Sequence, residues 1–301
     1  MRIAVAATPD VAIASLDALL VSEHELAFVI TQPDRPAGRG REMKQSEVAN
    51  WAQSKSIDCF KPNSADEFIA LANQVELVIT IGYGKILSLP ELEAPARGCI
   101  NLHFSLLPKW RGAAPVQRAI EAGDVLSGVT VFQLDEGMDT GPIYLSKRFA
   151  FDEDISADEL LKELSELGSL ALMESLELIT SNVSPTAQKN ADASRAAKLS
   201  KSEGEIDWNL SAKVISQKIR AFTSNPGAWT TFRGSTLKID SPKIEDFSLR
   251  PGELLVADKK LYVGTSTTAI SLGFITAQGK SRVTAGAWSN GARIQSGDRF
   301  G

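Results

Sequence analysis

Residues 98–112 read GCINLHFSLLPKWRG and contain one of only two histidines among the 301 residues of the chain. The apolar run after the glycine predicts a strand, and Pro108 predicts the turn that ends it. Because side chains alternate between the two faces of a strand, Asn101 and His103 share one face while Leu102 points to the other. The stretch therefore predicts a strand that presents an amide and an imidazole together near its end.

Strands and helices alternate along the first half of the chain. Apolar runs typical of strands include 2–7, 26–31, 77–84 and 128–134, and helical patterns cover 46–55, 64–73, 113–123 and 156–179. This alternation predicts a Rossmann-like α/β domain with a mostly parallel sheet. Because open α/β sheets bind ligands at the carboxyl ends of strands, we expect a functional site where the strand 98–104 ends.

The composition changes after Ile179. Residues 180–205 are polar, small and rich in Ser, Ala and Asn, which indicates a linker. Short strand-like pieces separated by Gly, Pro and Asp turns follow, and their spacing predicts a small antiparallel β-barrel. The predicted organisation is thus an α/β domain over 1–179, a linker over 180–205 and the barrel over 206–301.

The overall composition is that of an ordinary globular protein. Hydrophobic residues make up 43% and charged residues 23%, and no apolar run approaches the roughly 20 residues of a membrane span. The apolar segment at the N-terminus is too short for a signal peptide. Cys59 and Cys99 are read as reduced thiols, and two His with two Cys give no metal-ligand spacing. We expect a cytoplasmic protein without a metal site or a membrane partner.

Charge is distributed unevenly between the predicted domains. Residues 206–301 carry 13 Lys and Arg against 7 Asp and Glu, a net charge of +6, whereas the rest of the chain carries −11. A basic domain indicates a polyanionic partner. Drift of surface charge between two domains is an equally simple explanation.

The first predicted strand-to-helix turn, AATPDVAIAS at residues 6–15, contains no glycine. A dinucleotide-binding turn needs glycines so that the backbone can approach a pyrophosphate, and no GxxxxGK phosphate loop occurs in the sequence. The pattern disfavours a nicotinamide-dependent dehydrogenase and a nucleotide hydrolase.

Asn101 and His103 are candidates for acyl-transfer chemistry. An amide can donate to an oxygen that gains negative charge, and an imidazole with an ordinary pKa near 6.5 can move a proton at neutral pH. The loop DEGMDTG (135–141) follows another strand, and Asp139 or Asp135 could orient the imidazole and favour its charged form. The alternatives are a strand-end histidine bonded to backbone and a solvated acidic turn.

A basic loop follows the second predicted strand. Residues 31–44, TQPDRPAGRGREMK, combine turn-forming prolines and glycines with four cations. Guanidinium groups suit phosphate recognition, so a nucleic-acid contact is one interpretation and a flexible surface loop is the other. The cations concerned are Arg35, Arg39, Arg41 and Lys44.

Taken together, several of these stretches resemble the methionyl-tRNA formyltransferases. The resemblance rests on TQPDRPAGRG (31–40), GYGKIL (82–87), NLHFSLLPKWRGAAPVQRAI (101–120), GVTVFQLDEGMDTG (128–141), AKLSKSEGEIDW (197–208) and IRAF (219–222). An Asn-x-His strand with a later Asp is shared by folate-dependent formyltransferases in general. TQPDRPAGRG and RGAAPVQRAI narrow the resemblance to the tRNA-dependent family.

The resemblance implies formyl transfer from 10-formyltetrahydrofolate, the co-substrate, to the α-amine of methionine on initiator methionyl-tRNA. It implies a protein without a metal, which we expect to be a monomer, and an OB-like barrel that binds tRNA. The implied catalytic residues are Asn101, His103 and Asp139. The implied tetrahydrofolate contacts are Ser105, Leu106, Leu107 and Pro108, with Ile81, Gly82, Tyr83 and the 135–141 loop as pterin-pocket walls, and the tRNA contacts are Arg35, Arg39, Arg41 and Lys44.

In the implied mechanism, Asn101 and a protonated His103 stabilise the oxyanion of the tetrahedral intermediate. Asp139 either holds His103 and favours its imidazolium form or transfers a proton through a water, and the sequence leaves the two open. Two residues depart from the family pattern. Ala7 stands where glycine is usual, and Phe104 replaces a small residue or proline.

Other functions remain compatible with parts of the sequence. A formyltransferase acting on an amino sugar or on glycinamide ribonucleotide would share the trio of Asn101, His103 and Asp139. It would not need the basic loop and the basic barrel. A hydrolase that releases formate from the same folate is a second alternative. A non-catalytic RNA-binding protein is a third, and the intact trio speaks against it.

Overall fold

The computed structural model describes residues 1–37, 42–223 and 225–301, and of Ala37 the backbone only. The chain forms two compact units, each built from three sequence segments. The first unit comprises 1–112, 126–150 and 161–196, and the second comprises 113–125, 151–160 and 197–301.

The regular elements are numbered here in chain order. The helices are α1 (Ile13–Leu20), α2 (Glu47–Lys55), α3 (Ala65–Ala72), α4 (Leu89–Glu93), α5 (Pro115–Glu121), α6 (Ala157–Thr180), α7 (Ala212–Ala221) and α8 (Ala285–Ala292). The strands of the first unit are β1 (Arg2–Ala7), β2 (Glu25–Ile30), β3 (Arg35–Ala37), β4 (Glu42–Lys44), β5 (Cys59–Phe60), β6 (Leu77–Ile81), β7 (Cys99–His103), β8 (Arg111–Gly112), β9 (Leu126–Gln133), β10 (Ile143–Ala150) and β11 (Arg195–Ala196). The strands of the second unit are β12 (Ala228–Phe232), β13 (Ser235–Ile244), β14 (Leu254–Ala257), β15 (Lys260–Val263), β16 (Ile270–Ala277) and β17 (Val283–Thr284).

A seven-stranded sheet of order β10-β9-β7-β6-β1-β2-β5 organises the first unit. The strands from β7 to β5 in that order run parallel, β9 is antiparallel to β7, and β10 is in turn antiparallel to β9. All five residues of β6 are buried, as expected for a strand whose two faces are both covered. β7, which carries Asn101 and His103, is therefore held between parallel β6 and antiparallel β9.

Apolar side chains fix the helices of the first unit to this sheet. Phe68 of α3 is fully buried, and its ring centroid lies 6.0 Å from that of Tyr83. Both belong to a buried cluster that includes Phe28 of β2 and Val78 of β6. The Ser64 hydroxyl caps α3 by accepting the backbone N–H of Glu67 at 3.1 Å.

The second unit contains an antiparallel sheet of order β12-β13-β16-β15-β14, with β17 paired to β16. Residues 298–301 bridge its edge strands. The Gly301 N–H donates to the Thr231 carbonyl of β12 at 3.1 Å, and the Leu254 N–H of β14 donates to the Asp298 carbonyl at 3.0 Å. These bonds join the two edges, which gives the sheet the closure of a small barrel.

The predicted fold class, a mostly parallel α/β domain followed by a small antiparallel domain, is confirmed. The boundaries at residues 179 and 206 stay a prediction, and the compact units divide the chain differently. Residues 113–125 and 151–160 group with the second unit, where α5 packs on α7. Within the described residues, no helix is long and apolar enough to cross a bilayer.

Candidate active site

His103 ends β7 and is only 5% exposed. Its Nε2 lies 2.9 Å from the backbone oxygen of Trp110. Because a carbonyl can only accept, Nε2 carries the hydrogen, and Nδ1 of the neutral ring keeps a free lone pair.

Burial lowers the pKa of His103, and this effect outweighs the raising effects of the Asp139 carboxylate and of the hydrogen bond to Trp110. The free protein thus holds a neutral imidazole at neutral pH. This differs from the sequence-based expectation of a protonated ring, because the sequence does not reveal how completely the ring is desolvated.

Asp139 supplies the carboxylate that faces this imidazole. Its Oδ2 lies 3.7 Å from Nδ1 of His103 and accepts the Gly112 N–H at 2.7 Å. The backbone at Asp139 is left-handed, with φ of 55°, a conformation that Asp tolerates better than most residues. Asp135, the alternative raised from the sequence, turns inward and accepts from Thr140 Oγ1 at 2.7 Å within its own loop.

The loop that carries Asp139 does not start at the carboxyl end of β7. β9 runs antiparallel to β7, so Gln133 pairs with Ile100, and the Leu134 N–H donates to the Cys99 carbonyl at 2.8 Å. The loop therefore leaves the sheet beside the first residues of β7 and folds back to reach His103. The sequence showed only that this loop follows a strand, and it gave no sign of this reversal.

Asn101 shares a strand face with His103, two residues before it. Thr80 of β6 is its register partner, and the Thr80 hydroxyl donates to Asn101 Oδ1 at 2.7 Å. With Oδ1 engaged in this way, the amide NH2 is the group that Asn101 has available as a donor. Thr80 was not among the residues singled out from the sequence.

The Thr130 hydroxyl makes two hydrogen bonds to the backbone of the turn 105–108. Thr130 Oγ1 donates to the Ser105 carbonyl at 2.7 Å and accepts the Leu107 N–H at 3.2 Å. The Ser105 and Leu107 side chains are buried, whereas Leu106 and Pro108 are half-buried. Of the four residues predicted to contact folate, Leu106 and Pro108 offer the side-chain surface.

Residues 81–83 differ from one another in what they expose. Ile81 is fully buried. Tyr83 is 4% exposed, and this burial raises the pKa of its hydroxyl to about 12. The Tyr83 carbonyl accepts the Thr8 hydroxyl at 3.1 Å. Gly82 is exposed with φ of 55°, and a Cβ there would lie 2.8 Å from Pro9 Cγ. The backbone around Gly82 is thus what this segment can present to a ligand.

Two of the four predicted phosphate-binding cations, Arg35 and Lys44, lie on the paired strands β3 and β4. Arg35 and Lys44 are exposed; Arg35 Nη2 donates to Gln32 Oε1 at 3.3 Å, and Lys44 pairs with Glu47 at 2.9 Å. Arg39 and Arg41 lie outside the described residues.

The segment predicted as a linker supplies contacts that sequence reasoning missed. The Ser194 hydroxyl accepts the Trp110 N–H at 2.9 Å, and the Gln188 amide donates to the Asp139 carbonyl at 2.9 Å. Its small polar composition gave no signal of this.

The two departures from the family pattern, Ala7 and Phe104, are both buried.

In the part of the chain that the structure describes, no three His, Cys, Asp or Glu side chains come together as a metal site. An amide, a neutral imidazole and a carboxylate suit oxyanion stabilisation and proton transfer.

Family comparison covers both halves of the chain. The model described as formyl transferase matches residues 1–176, and the model described as formyl transferase, C-terminal domain, matches residues 198–293. A methionyl-tRNA formyltransferase of Thermobifida fusca is 40% identical over 308 residues, covering 100% of this chain and 99% of the relative. One of Streptomyces griseus is 38% identical and covers 100% of both chains.

Solved structures of related fold are more distant in sequence. HypX from Aquifex aeolicus in complex with tetrahydrofolic acid has a TM-score of 0.70 at 18% identity, covering 96% of this chain and 46% of that one. At this identity the likeness concerns the fold alone.

Proposed function

The chain belongs to the formyl transferase family, and we propose that it transfers the formyl group of 10-formyltetrahydrofolate to the α-amine of methionine on initiator methionyl-tRNA. The observation that carries the proposal is the similarity to methionyl-tRNA formyltransferases along the whole chain, at 38–40% identity. The similarity includes the C-terminal domain, which formyl transfer chemistry by itself would not require. The product is the formylated tRNA with which translation begins.

His103 is the base of this mechanism. Its Nδ1, left free because Nε2–H is bonded to Trp110, takes a proton from the amine that attacks the formyl carbon. The imidazolium then formed lies 3.7 Å from the Asp139 carboxylate, which stabilises it. His103 afterwards gives the proton to the departing nitrogen of the folate.

Asn101 acts on the formyl oxygen. Its NH2 group donates to that oxygen while it gains negative charge, and one such donor is typically worth about 3–4 kcal/mol. Thr80 holds the amide in this orientation through Oδ1.

The folate fits against the turn 105–108 and the backbone around Gly82. Leu106 and Pro108 offer partly exposed apolar surface, and Gly82 leaves peptide groups accessible to a polar ring edge. Buried side chains pack beneath these surfaces and support them. They are the side chains of Ile81, Ser105, Leu107 and Tyr83.

The tRNA engages the basic loop and the barrel. The net charge of +6 over residues 206–301 and the cations at 35, 39, 41 and 44 suit phosphate contacts. The protein works in the cytoplasm, where its substrates are, and as a monomer.

Formyl transfer to defined acceptors tests this proposal. The protein is incubated with 10-formyltetrahydrofolate and, in parallel, initiator methionyl-tRNA, elongator methionyl-tRNA, an amino sugar nucleotide, glycinamide ribonucleotide or no acceptor. We expect formylmethionyl product with the initiator tRNA. Formylation of a small amine alone, or release of formate without an acceptor, would replace the proposal with one of the alternatives named above.

Replacing Thr80 with valine is expected to lower kcat about tenfold. Valine keeps the shape of threonine but removes the hydroxyl that donates to Asn101 Oδ1, so the amide loses its fixed orientation toward the formyl oxygen. Thr180→Val is the matched control, because that hydroxyl donates to the Leu176 carbonyl within α6. Equal rates for both variants would mean that Thr80 does not orient the amide.

Neutralising Arg39 and Arg41 together is expected to raise the KM for tRNA and to flatten its salt dependence. For every phosphate that the protein no longer neutralises, the slope of log affinity against log salt becomes shallower by about 1. A variant with Lys55 and Lys162 replaced by alanine removes the same charge from helices α2 and α6 and serves as control. Unchanged tRNA kinetics in the arginine variant would leave the loop without its proposed role.

A further inference from the structure

The segment between α6 and β11 is bonded to the active site along its length. The Thr186 and Ile143 backbones exchange hydrogen bonds at 2.7 and 2.8 Å, and β11 pairs in parallel with β8. The Ser194 carbonyl accepts the Arg111 N–H at 2.9 Å. This segment therefore lies against Trp110, which bonds His103, and against Gly112, which bonds Asp139.

Gln188 stands out in this segment because every hydrogen-bonding site of its amide is used. Nε2 donates to the carbonyls of Asp139 and Gly141, at 2.9 and 2.8 Å. Oε1 accepts from Arg111 Nε and Nη2, at 3.1 and 2.6 Å. Two donors and two acceptors are the full capacity of an amide.

Arg111 fixes which way this amide points. A guanidinium can only donate, so the oxygen of Gln188 must face it, and the NH2 group must face the loop carbonyls. The Asn190 side-chain oxygen accepts Arg111 Nη2 at 3.0 Å and gives the guanidinium a further anchor. A flipped amide would bring its oxygen against two carbonyls, so the arrangement has one stable orientation.

The loop 135–141 needs the support that Gln188 provides. It leaves the sheet beside the first residues of β7, and Asp139 has a left-handed backbone. Its carboxylate is fixed by the Gly112 N–H, and its carbonyl is fixed by Gln188. Arg111 and Gly112 are consecutive in β8, so one short strand anchors both the side chain and the backbone of Asp139.

We propose that Gln188, oriented by Arg111, is a positioning residue that sets the location of the Asp139 carboxylate relative to His103. Its catalytic consequence rests on the proposed function, but the geometric claim does not. Gln188 touches neither substrate nor a reacting atom; it acts through Asp139.

The groups that act on His103 from around it are few among the described residues. The Asp139 carboxylate faces Nδ1 from the loop, the Trp110 carbonyl bonds Nε2 from the segment before β8, and the Phe132 ring of β9 lies edge-on at 6.4 Å. Asp139 is the ionisable group of the three, so moving it changes the electrostatic environment of the ring.

Gln188→Met tests the proposal, because methionine has a similar length, no charge and no N–H donor. We expect kcat to fall about 10- to 100-fold, as for a slight misplacement of a catalytic group, with the KM for tRNA nearly unchanged. In the background of Asp139→Asn, the same substitution is expected to cost less than about twofold, because the charge it positions is already gone. Equal costs in both backgrounds would overturn the proposal and leave Gln188 a purely structural contact.

Histidine NMR provides a readout that does not depend on activity. The chain has two histidines, so protein labelled at histidine Cε1 gives two signals, and His24 serves as an internal reference. We expect the His103 signal at pH 7 to shift in Gln188→Met in the same direction as in Asp139→Asn, with the His24 signal unmoved. A His103 signal identical to that of the wild type would contradict the proposal even if no formyl transfer were found.

Two further variants test whether the effect is specific to Gln188 and whether it depends on Arg111. Gln74→Met is the matched control, because Gln74 is exposed and its side-chain amide donates to the Ala70 carbonyl of α3; we expect wild-type kcat. Arg111→Lys keeps the charge but cannot form the two-pronged hydrogen bond, and we expect it to shift the same His103 signal less than Gln188→Met does. A wild-type His103 signal in Arg111→Lys would remove Arg111 from the proposal.

Discussion

His103→Ala is expected to reduce the rate of formyl transfer by about 10³-fold or more while the protein stays folded. A positioned general base contributes typically 10²–10⁴-fold, and His103 also carries the charge that Asp139 stabilises. The substitution removes the hydrogen bond from Nε2–H to the Trp110 carbonyl, at a cost of about 0.5–1.5 kcal/mol of stability. The measurement is kcat/KM with initiator methionyl-tRNA, together with a thermal melt.

His24→Ala is the matched control for this variant. The two histidines are similarly buried, at 8% and 5% exposure, but His24 lies before β2, with Nδ1 3.3 Å from the Met1 amine. Its replacement is expected to leave kcat unchanged. A folded His103→Ala protein that keeps more than about a tenth of the wild-type rate would remove His103 from the role of base.

The sheet and its key strand could be predicted from the sequence because their signals are local. Runs such as LVITI at 77–81 are apolar throughout apart from one threonine, as required for a strand buried on both faces, and the alternation around Asn101 and His103 follows from the period of a strand. The proposed catalytic residues Asn101, His103 and Asp139 came from the resemblance as much as from the pattern. Spacing alone left His103 open between a base and a packed residue.

What the sequence could not show depends on contacts between distant residues. Thr80, Thr130 and Gln188 are ordinary polar residues in their own segments, and only the folded chain brings them to Asn101, to the turn 105–108 and to the Asp139 loop. Composition predicted a linker where Gln188 lies, because small polar residues are typical of unstructured segments. In this segment the backbone of β11 pairs with β8, and the backbone of Thr186 pairs with Ile143.

The protonation state of His103 is a second limit of sequence reasoning. A nearby aspartate suggested a charged ring, but the sign of the pKa shift depends on how much of the ring is buried. Burial lowers the pKa below 6.5 in spite of Asp139. In the proposed mechanism, the carboxylate therefore acts mainly on the imidazolium that forms during the reaction, rather than on the ring at rest.

Asp139→Asn is expected to lower kcat by about 10²–10³-fold. Two unit charges about 4 Å apart interact by about 4 kcal/mol at an effective dielectric constant near 20, and about 1.36 kcal/mol corresponds to a factor of ten in rate. The imidazolium forms 3.7 Å from this carboxylate, so losing the charge withdraws most of that stabilisation. The measurement is single-turnover formyl transfer at saturating folate and tRNA.

Asparagine isolates the charge from the geometry. It tolerates the left-handed backbone at residue 139, and its side-chain oxygen can still accept the Gly112 N–H. The carbonyl bond to Gln188 is untouched. Alanine would add backbone strain at φ of 55°, so a loss of activity in Asp139→Ala would have two causes.

The pH profile of Asp139→Asn shows whether the charge of Asp139 raises or lowers the pKa of His103. Asp139 raises the pKa of His103, so removing its charge lowers that pKa further. The base must be unprotonated, and the acidic limb of kcat is therefore expected to move to lower pH in Asp139→Asn while the plateau falls. Asp135→Asn, in the same loop, keeps the acceptor for Thr140 and is expected to change neither the limb nor the plateau appreciably. A variant pair in which Asp135→Asn loses more activity than Asp139→Asn would reassign the carboxylate of the trio.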